Sequence, residues 1–389
     1  MYLTFRSIAQ TAHKTRGFVF KQETSTKSDY HFIDFVRFVS IIGIVSLHST
    51  FLPKNISLNN YLNTLNSPAT YIGFISILRF AVISFCIISG YLLAPRISTE
   101  NKLAFYYTRV KNTLRPSIIA LLITAALILI KEIFTGEQRG FAPVINELVF
   151  DGVFWFIPMQ LLSLLILMLF ITAPKQVWVG ITLFMSLAVV TAYYVYFKKL
   201  AHVDPVFALG FAFYFWLGTM FYKYKVIEKV KRIKLVILLA AWLASFTLLN
   251  FETLLLWKNG FPHILNNLRI SNQLYGVVSF FVLVKVSDYF KSFSVFKPRK
   301  ESFGIYLYHR AVGLAIFFIL HRVFNLTGNF DAFTSMFFTL THFIFTYAIT
   351  TVLVKWLVKW ELFFLSKNGQ YPNARRILLS LKNSSNIIL

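Results

Sequence analysis

The runs PSIIALLITAALILI, from Pro116 to Ile130, and VFWFIPMQLLSLLILMLFIT, from Val153 to Thr172, decide the fold class of this 389-residue chain. A helix needs about 20 mainly apolar residues to cross ~30 Å of hydrocarbon, and similar runs recur along the sequence. The composition agrees, since 57% of the residues are hydrophobic and only 14% are charged. The sequence therefore predicts an all-α, polytopic transmembrane helix bundle.

About ten spans are expected, because apolar segments alternate with short polar ones from residue 30 onward. The chain then divides into a tail at 1–28, a membrane domain at 29–354 and a C-terminal tail at 355–389. In that second tail, Lys355 and Lys359 lie four positions apart among Trp and Phe, which is typical of an amphipathic helix on a membrane surface. The predicted spans are residues 30–51, 68–94, 116–130, 153–171, 176–197, 204–222, 235–256, 271–286, 303–321 and 332–354.

The net charge of +24 is sorted along the chain. If the N-terminus is cytoplasmic, most of the 39 Lys and Arg residues fall in cytoplasmic segments and few fall in the outer loops. This positive-inside pattern predicts that both termini are cytoplasmic. The high positive charge is therefore explained by membrane topology and does not indicate a nucleic-acid-binding surface. We therefore expect membrane lipid and no nucleic acid as a partner, in a multi-pass protein of the cell (plasma or inner) membrane.

The sequence offers no motif for a resident cofactor or metal. Its one cysteine, Cys86, lies in an apolar run, which excludes a disulfide framework and a cysteine-based metal site. Glycine-rich phosphate loops, His-Glu-x-x-His zinc motifs and Gly-x-Ser-x-Gly elbows are missing. We therefore expect chemistry without a metal and without a permanently bound cofactor.

The first span carries ionisable residues in DFVRFVSIIGIVSLH, from Asp34 to His48. Arg37 and His48 are about 1100° of helical rotation apart, so they share a face about 16 Å along the axis. Asp34 is one turn before Arg37 and is expected to pair with it. Ionisable groups inside a bilayer are costly and therefore functional candidates, and a histidine can take a proton from a hydroxyl and return it. The alternative is an interfacial His48 and a snorkelling Arg37.

Five motifs occur in the order found in a known family. In the first, His48 follows Arg37 after ten residues, and Asp34 precedes the arginine by three. The other four are FCIISGYLL at 85–93, YTRVKNTLRP at 107–116, WFIP at 155–158 and SFGIYLYH at 302–309. In these residues the chain resembles the membrane-bound acyltransferase family 3, and the matches cover most of its length.

The resemblance implies a multi-spanning enzyme that takes an acyl group, commonly acetyl, from cytoplasmic acyl-CoA. The acceptor would be a hydroxyl of a cell-surface or exported carbohydrate, or of a lipid-linked glycan. His48 would be the base or acyl relay, with Arg37 and Asp34 beside it in the catalytic set. Substrate contacts are implied for Ser89, Trp155 and His309.

The resemblance also implies that two arginines meet the CoA phosphates. Arg115 matches the second of them, while Asn112 stands where the first would be, which leaves Arg109 or Lys111 to take its place. Family members often have a histidine just before the Trp-Phe pair, and this chain has Val153 and Phe154 there.

The residues themselves favour a phosphate-bearing donor on the cytoplasmic side. The segment between the second and third spans is basic, and arginine suits phosphate; the alternative is that these charges only determine topology. Arg79, deep in the second span, is expected to hold the donor in the bundle or to form an ion pair, for example with Asp34. The basic residues of the segment between the second and third spans are Arg96, Lys102, Arg109, Lys111 and Arg115.

Towards the other end of the chain, adjacent His309 and Arg310 point to different faces of the ninth span, and a buried hydrogen-bonded His309 is the alternative to a substrate contact. Glu147 and Asp151, before the fourth span, are candidate acceptor contacts or ordinary loop charges.

A transporter that exports a polysaccharide or lipid-linked sugar is the second hypothesis, since intramembrane His and Arg also suit transport. A structural subunit of an envelope assembly is the third. No internal repeat is visible, which disfavours an inverted-repeat transporter. The ordered motifs favour the enzyme.

Overall fold

The computed structural model describes residues 31–50, 57–97, 101–136, 139–170, 176–197, 207–261, 263–290, 298–324 and 331–367. Every regular element in these ranges is helical and none is a strand. The predicted all-α class is confirmed. The predicted N-terminal tail at 1–28 lies outside the described residues, as does the chain after residue 367.

The helices follow one another along the chain with short connections. Short non-α turns occur at Glu147–Asp151 and Ala192–Phe197, which are π-helical, and at Val153–Trp155 and Ser287–Tyr289, which are 3-10. The α-helices are α1 His31–Leu47, α2 Leu58–Thr64, α3 Pro68–Ser76, α4 Ala81–Ile97, α5 Lys102–Thr135, α6 Phe141–Asn146, α7 Phe156–Phe170, α8 Gln176–Thr191, α9 Phe207–Lys223, α10 Val226–Arg232, α11 Leu235–Lys258, α12 Ile270–Val286, α13 Pro298–Phe324 and α14 Ala332–Lys367.

Eight helical segments within the described ranges are long and apolar enough to cross a membrane. Helices α1 and α9 have 17 residues each, about 26 Å at the rise of an α-helix, which is slightly short of the ~30 Å hydrocarbon layer. The eight long apolar segments indicate a multi-pass protein. The count of ten spans and the cytoplasmic placement of both termini stay predictions. The eight segments are Pro68–Pro95, Lys102–Phe134, Val153–Phe170, Val177–Phe197, Leu235–Lys258, Ile270–Tyr289, Glu301–Val323 and Ala332–Lys359.

The second span is broken, which the sequence did not predict. Residues 77–80 form a turn between α3 and α4, and Arg79 lies in this turn. A neighbouring helix satisfies a carbonyl that the break exposes, since the hydroxyl of Tyr275 on α12 donates to the Ile77 oxygen at 2.6 Å. Irregular backbone at membrane depth is tolerated where it is buried in protein or lines a cavity. The break thus places Arg79 in the protein interior.

Two helices extend beyond their predicted spans. Helix α5 begins at Lys102, where the Asn101 side chain accepts from the backbone of Leu103 and Ala104, and it runs through Pro116, so the basic segment is helical and continuous with the third span. Helix α14 likewise continues through the boundary predicted between residues 354 and 355 as far as Lys367. The start of the C-terminal tail is therefore part of the last span's helix.

Helices α4 and α9 pack with their backbones in direct contact. A methyl group added at Gly90 would overlap the Phe215 carbonyl, and one added at Gly218 would overlap the Ile87 carbonyl. Small residues allow this close approach, which favours helix association in membranes. Gly90 belongs to the Ser-Gly motif of the sequence, so the motif fixes the position of Ser89 through helix packing.

Gly90→Ala is expected to destabilise the fold, because its methyl group meets a backbone carbonyl that cannot rotate away. Overpacking costs about 1–3 kcal/mol and occasionally more. Thermal unfolding of the detergent-solubilised protein, followed by size-exclusion chromatography, measures the loss. Gly73→Ala is the matched control, because the nearest atom to its added methyl group is 3.9 Å away, and an equal loss in both variants would contradict the packing argument.

Candidate active site

His48 and His309 lie side by side, although they are far apart in the sequence. His48 follows the last turn of α1, His309 lies on α13, and their ring centroids are 5.3 Å apart at 44°. The His309 side chain is buried, and its Nδ1 is 2.7 Å from the Tyr306 carbonyl and 3.2 Å from that of Ile305. Carbonyls only accept, so Nδ1 carries the proton of the neutral ring and Nε2 carries the lone pair. That Nε2 is buried and has no hydrogen-bond partner among the described residues.

His48 opens into a cavity of about 130 Å³. The polar side chains around it are His48, Arg79 and Asn267. The rest of the lining is apolar or aromatic, so a group bound here would be largely shielded from water and would meet few hydrogen-bonding groups. These other lining residues are Ile44, Leu47, Val82, Val153, Trp155, Phe156 and Tyr306.

Arg79 is held at this cavity by a hydrogen bond to the backbone. Only 8% of the residue is exposed, and one terminal nitrogen, Nη1, donates to the Leu265 carbonyl in the α11–α12 loop. Its Nε is buried with no hydrogen-bond partner in the described part of the chain. Arg79 therefore brings a cation with an unused donor to the cavity that contains His48.

A buried polar network braces the loop that carries Leu265 and Asn267. Arg269 is fully buried and donates to the Thr253 hydroxyl and to the Asn266 carbonyl. Glu252 on α11 accepts from the Tyr196 hydroxyl and from the backbone and hydroxyl of Ser271. The loop is thus tied to α11 and α12 at both ends.

A second, larger cavity of about 660 Å³ contains Arg37 and Arg109. The two arginines and Ser89 also line an adjoining space of about 80 Å³. Asn112 lies on the cavity wall, whereas Lys111 and Arg115 are exposed and are not among its lining residues. The lining comprises Arg37, Phe85, Ser89, Asn101, Ala104, Phe105, Thr108, Arg109, Asn112, Thr113, Phe156, Gln160, Ser302, Phe303 and Tyr306.

Phe156 and Tyr306 line both cavities. Their rings are in contact, with centroids 5.7 Å apart at 61°, and the Tyr306 hydroxyl donates to the Val153 carbonyl. The two rings therefore stand between the cavity that contains Arg37 and Arg109, the arginine cavity, and the cavity that contains His48, the histidine cavity. Helix α1 reaches both, with Arg37 at the larger and His48 at the smaller.

Two other candidates, Asp34 and Glu147, are not among the residues that line these cavities. Asp34 is in the first turn of α1. Glu147 pairs with Arg139 at 2.6 Å, and Arg139 also pairs with Glu132 at 2.5 Å, which favours the interpretation of Glu147 as a loop charge. The Asp151 side chain lies outside the described residues. No group of three or more His, Cys, Asp or Glu side chains within the described ranges could hold a metal ion.

Three features of the site were not predicted from the sequence, namely Asn267, Gln160 and the separating position of the Phe156 ring. Asn267 follows another asparagine in a loop, and a single loop asparagine gives no sign that it faces a cavity. Phe156 and Gln160 are on α7, where hydropathy indicates only a span.

Residues 30–360 match the acyltransferase domain of family 3. The chain belongs to acyltransferase family 3. It is a multi-pass membrane acyltransferase, as the long apolar helices and the matched domain together indicate. No curated protein and no solved structure matches it.

In this acyltransferase, a cysteine at position 89 is expected to react with a charged thiol reagent, because Ser89 lines the large cavity. The wild-type chain has one cysteine, Cys86, which is fully buried and should stay unlabelled. Labelling of Ser89→Cys in membrane vesicles, followed by mass spectrometry, makes the measurement. Ile88→Cys is the matched control, since position 88 is fully buried on the same helix, and equal labelling of both variants would contradict the cavity assignment.

Proposed function

We propose that this acyltransferase moves a short acyl group, such as acetyl, from cytoplasmic acyl-CoA to a hydroxyl of a cell-surface or exported carbohydrate. One observation carries the proposal. A cavity with two arginines and a cavity lined by His48 and Arg79 meet at the Phe156–Tyr306 ring pair, and α1 supplies Arg37 to the first and His48 to the second. A donor and an acceptor could therefore approach the same centre from opposite sides.

The larger cavity fits the donor. Its volume of about 660 Å³ falls in the usual range for ligand sites, roughly 300–1,000 Å³. Arg37 and Arg109 suit phosphate groups, which they can bind with charge-assisted hydrogen bonds. Arg109 is on the basic half of α5, which the charge pattern puts on the cytoplasmic side, where acyl-CoA is found.

The smaller cavity favours a short acyl group. Its volume is about 130 Å³. An apolar protein cavity of ~150 Å³ is large enough to hold one benzene molecule. An acetyl group and the reacting atoms of an acceptor hydroxyl fit in such a space. A long acyl chain does not.

The chemistry assigned to the histidine cavity is acyl transfer with His48 as the base. The acceptor hydroxyl oxygen attacks the thioester carbonyl carbon while His48 takes the hydroxyl proton. The C–S bond then breaks, and CoA leaves as a thiol after His48 returns that proton. Negative charge on the former carbonyl oxygen is stabilised by N–H donors, which Arg79 and Asn267 can supply. The lone pair on His309 Nε2, next to His48, helps to hold the charged form of the base.

We place the acceptor on the outer side of the membrane. Arg37 is near the start of α1 and His48 follows its end, so a cytoplasmic N-terminus puts the histidine cavity towards the outside. Carbohydrate hydroxyls are exposed on that side, in surface glycans or in their lipid-linked precursors.

His48→Ala is expected to lower acyl transfer about 10²–10⁴-fold, the usual contribution of a general base. The assay supplies inside-out vesicles with radiolabelled acetyl-CoA and measures labelled carbohydrate. His321→Ala, a histidine substitution on α13 away from both cavities, is the control and should retain activity. Normal acylation by His48→Ala would overturn the assignment, and glycan export by the wild type without acylation would favour a transporter.

Arg109→Gln is expected to raise KM for acetyl-CoA about ten- to a hundredfold, because a hydrogen bond to a charged group contributes about 1.5–3 kcal/mol and 1.4 kcal/mol is a factor of ten. The same vesicle assay with varied acetyl-CoA gives KM and kcat separately. Lys111→Gln removes the same charge from an exposed position two residues away and should leave KM unchanged. A larger rise in KM for Lys111→Gln than for Arg109→Gln would contradict the placement of the donor site in the cavity.

A further inference from the structure

His342 on α14 has a carbonyl oxygen at each of its ring nitrogens. Its Nδ1 is 2.9 Å from the Ser49 oxygen and its Nε2 is 2.9 Å from the Gly313 oxygen. The residue is only 3% exposed. Both contacts have the length of a normal hydrogen bond, and both partners can only accept.

A neutral imidazole cannot satisfy this arrangement. It has one N–H donor and one lone pair, whereas the protonated ring has two N–H donors. With a neutral ring, one nitrogen lone pair would face a carbonyl oxygen at 2.9 Å in a buried site, which is a repulsive contact. The site is complete only with an imidazolium.

We infer that His342 works as an imidazolium that clamps α1 to α13 and thereby positions the His48–His309 pair; this inference rests on the proposed function. Ser49 directly follows His48, and Gly313 lies one helical turn after His309. The two carbonyls that His342 binds thus belong to the two backbones that carry the paired histidines. His342 is a positioning residue, since it acts through His48 and His309.

Each neighbouring element presents a defined group to His342. Helix α1 offers a carbonyl at its C-terminal end, where the helix dipole favours a cation. Helix α13 offers the Gly313 carbonyl, the Phe317 ring with its centroid 6.0 Å away, and the opposing positive charge of Arg310. On α14 itself, Thr346 is one turn further along. Burial of the ring and the positive charge of Arg310 disfavour the second proton, while the two carbonyls and the dipole favour it.

This balance makes the clamp sensitive to pH. As pH rises, the imidazolium loses a proton, one carbonyl contact becomes repulsive, and the end of α1 with His48 shifts. A displacement of about 1 Å costs roughly a hundredfold in rate. As pH falls, His48 is protonated and cannot act as a base. The rate should therefore follow a bell-shaped pH profile. Its alkaline limb, the fall in rate at high pH, would be caused by deprotonation of His342.

The test compares His342→Gln, which loses the charge, with His342→Lys, which keeps a positive charge and several donors. In the acetyl-CoA vesicle assay, we expect kcat to fall about a hundredfold in His342→Gln with KM for acetyl-CoA unchanged. We expect His342→Lys to recover part of that loss and to lack the alkaline limb. His321→Gln, whose ring also lies beside Phe317, is the matched control and should keep the wild-type profile.

A second measurement needs neither activity nor a folded variant. Solid-state NMR of wild-type protein in lipid vesicles, labelled with ¹⁵N-histidine, should show one buried ring with both nitrogens protonated at neutral pH. A spectrum without such a ring would overturn the inference, as would an unchanged alkaline limb in His342→Gln or higher activity in His342→Gln than in His342→Lys. Failure of the wild type to transfer acetyl groups would instead overturn the proposed function and leave the NMR result to stand.

Discussion

The backbone contact between α4 and α9 is the constraint on which the cavities depend. Gly90 and Gly218 remove the side chains that would hold these helices apart. Helix α9 then brings Phe211 against Trp155, with ring centroids 5.2 Å apart, at the wall of the histidine cavity. Helix α4 carries Ser89 to the arginine cavity and begins just after the break that contains Arg79. A change in helix spacing here would alter both cavities together.

Helix α1 is fixed in the same way. A methyl group at Gly43 would overlap the Ala81 side chain at the start of α4. This close approach holds α1 against α4 and so sets where Arg37 and His48 enter the interior. Since α1 also packs against α13, its position determines the contact between His48 and His309. The positions of these candidate site residues thus depend on three glycines, Gly43, Gly90 and Gly218.

Apolar length was sufficient to predict most of the helices from the sequence, because hydrocarbon thickness imposes a minimum run of apolar residues. The spacing of Arg37 and His48 predicted a shared face, and the structure places both at interior cavities. The break at residues 77–80 escaped prediction because a hydropathy pattern averages over a short turn inside an apolar run. What stabilises that turn is the distant Tyr275 hydroxyl, and no local residue encodes it.

The choice among the basic residues of α5 could not be made from the sequence for a related reason. Arg109, Lys111 and Arg115 are equivalent in charge, and the motif alone leaves their roles open. Because α5 is one continuous helix from Lys102, its rotation decides which of them faces the bundle, and that rotation is set by packing against α7 and α13. His342 was missed because an isolated histidine in an apolar span gives no hint of the two carbonyls that it meets.

The ring pair of Phe156 and Tyr306 separates the two cavities and also forms part of the wall of each. In the proposed reaction, an open channel through the bundle would let water reach the thioester of the donor and would leak ions. The contacting rings, with Tyr306 anchored to the Val153 carbonyl, close the path between the cavities. In the proposed reaction, the acyl end of the donor passes between the rings after a small rotation, while its phosphates stay with the arginines. The acyl group then reaches His48 without the whole donor crossing the membrane.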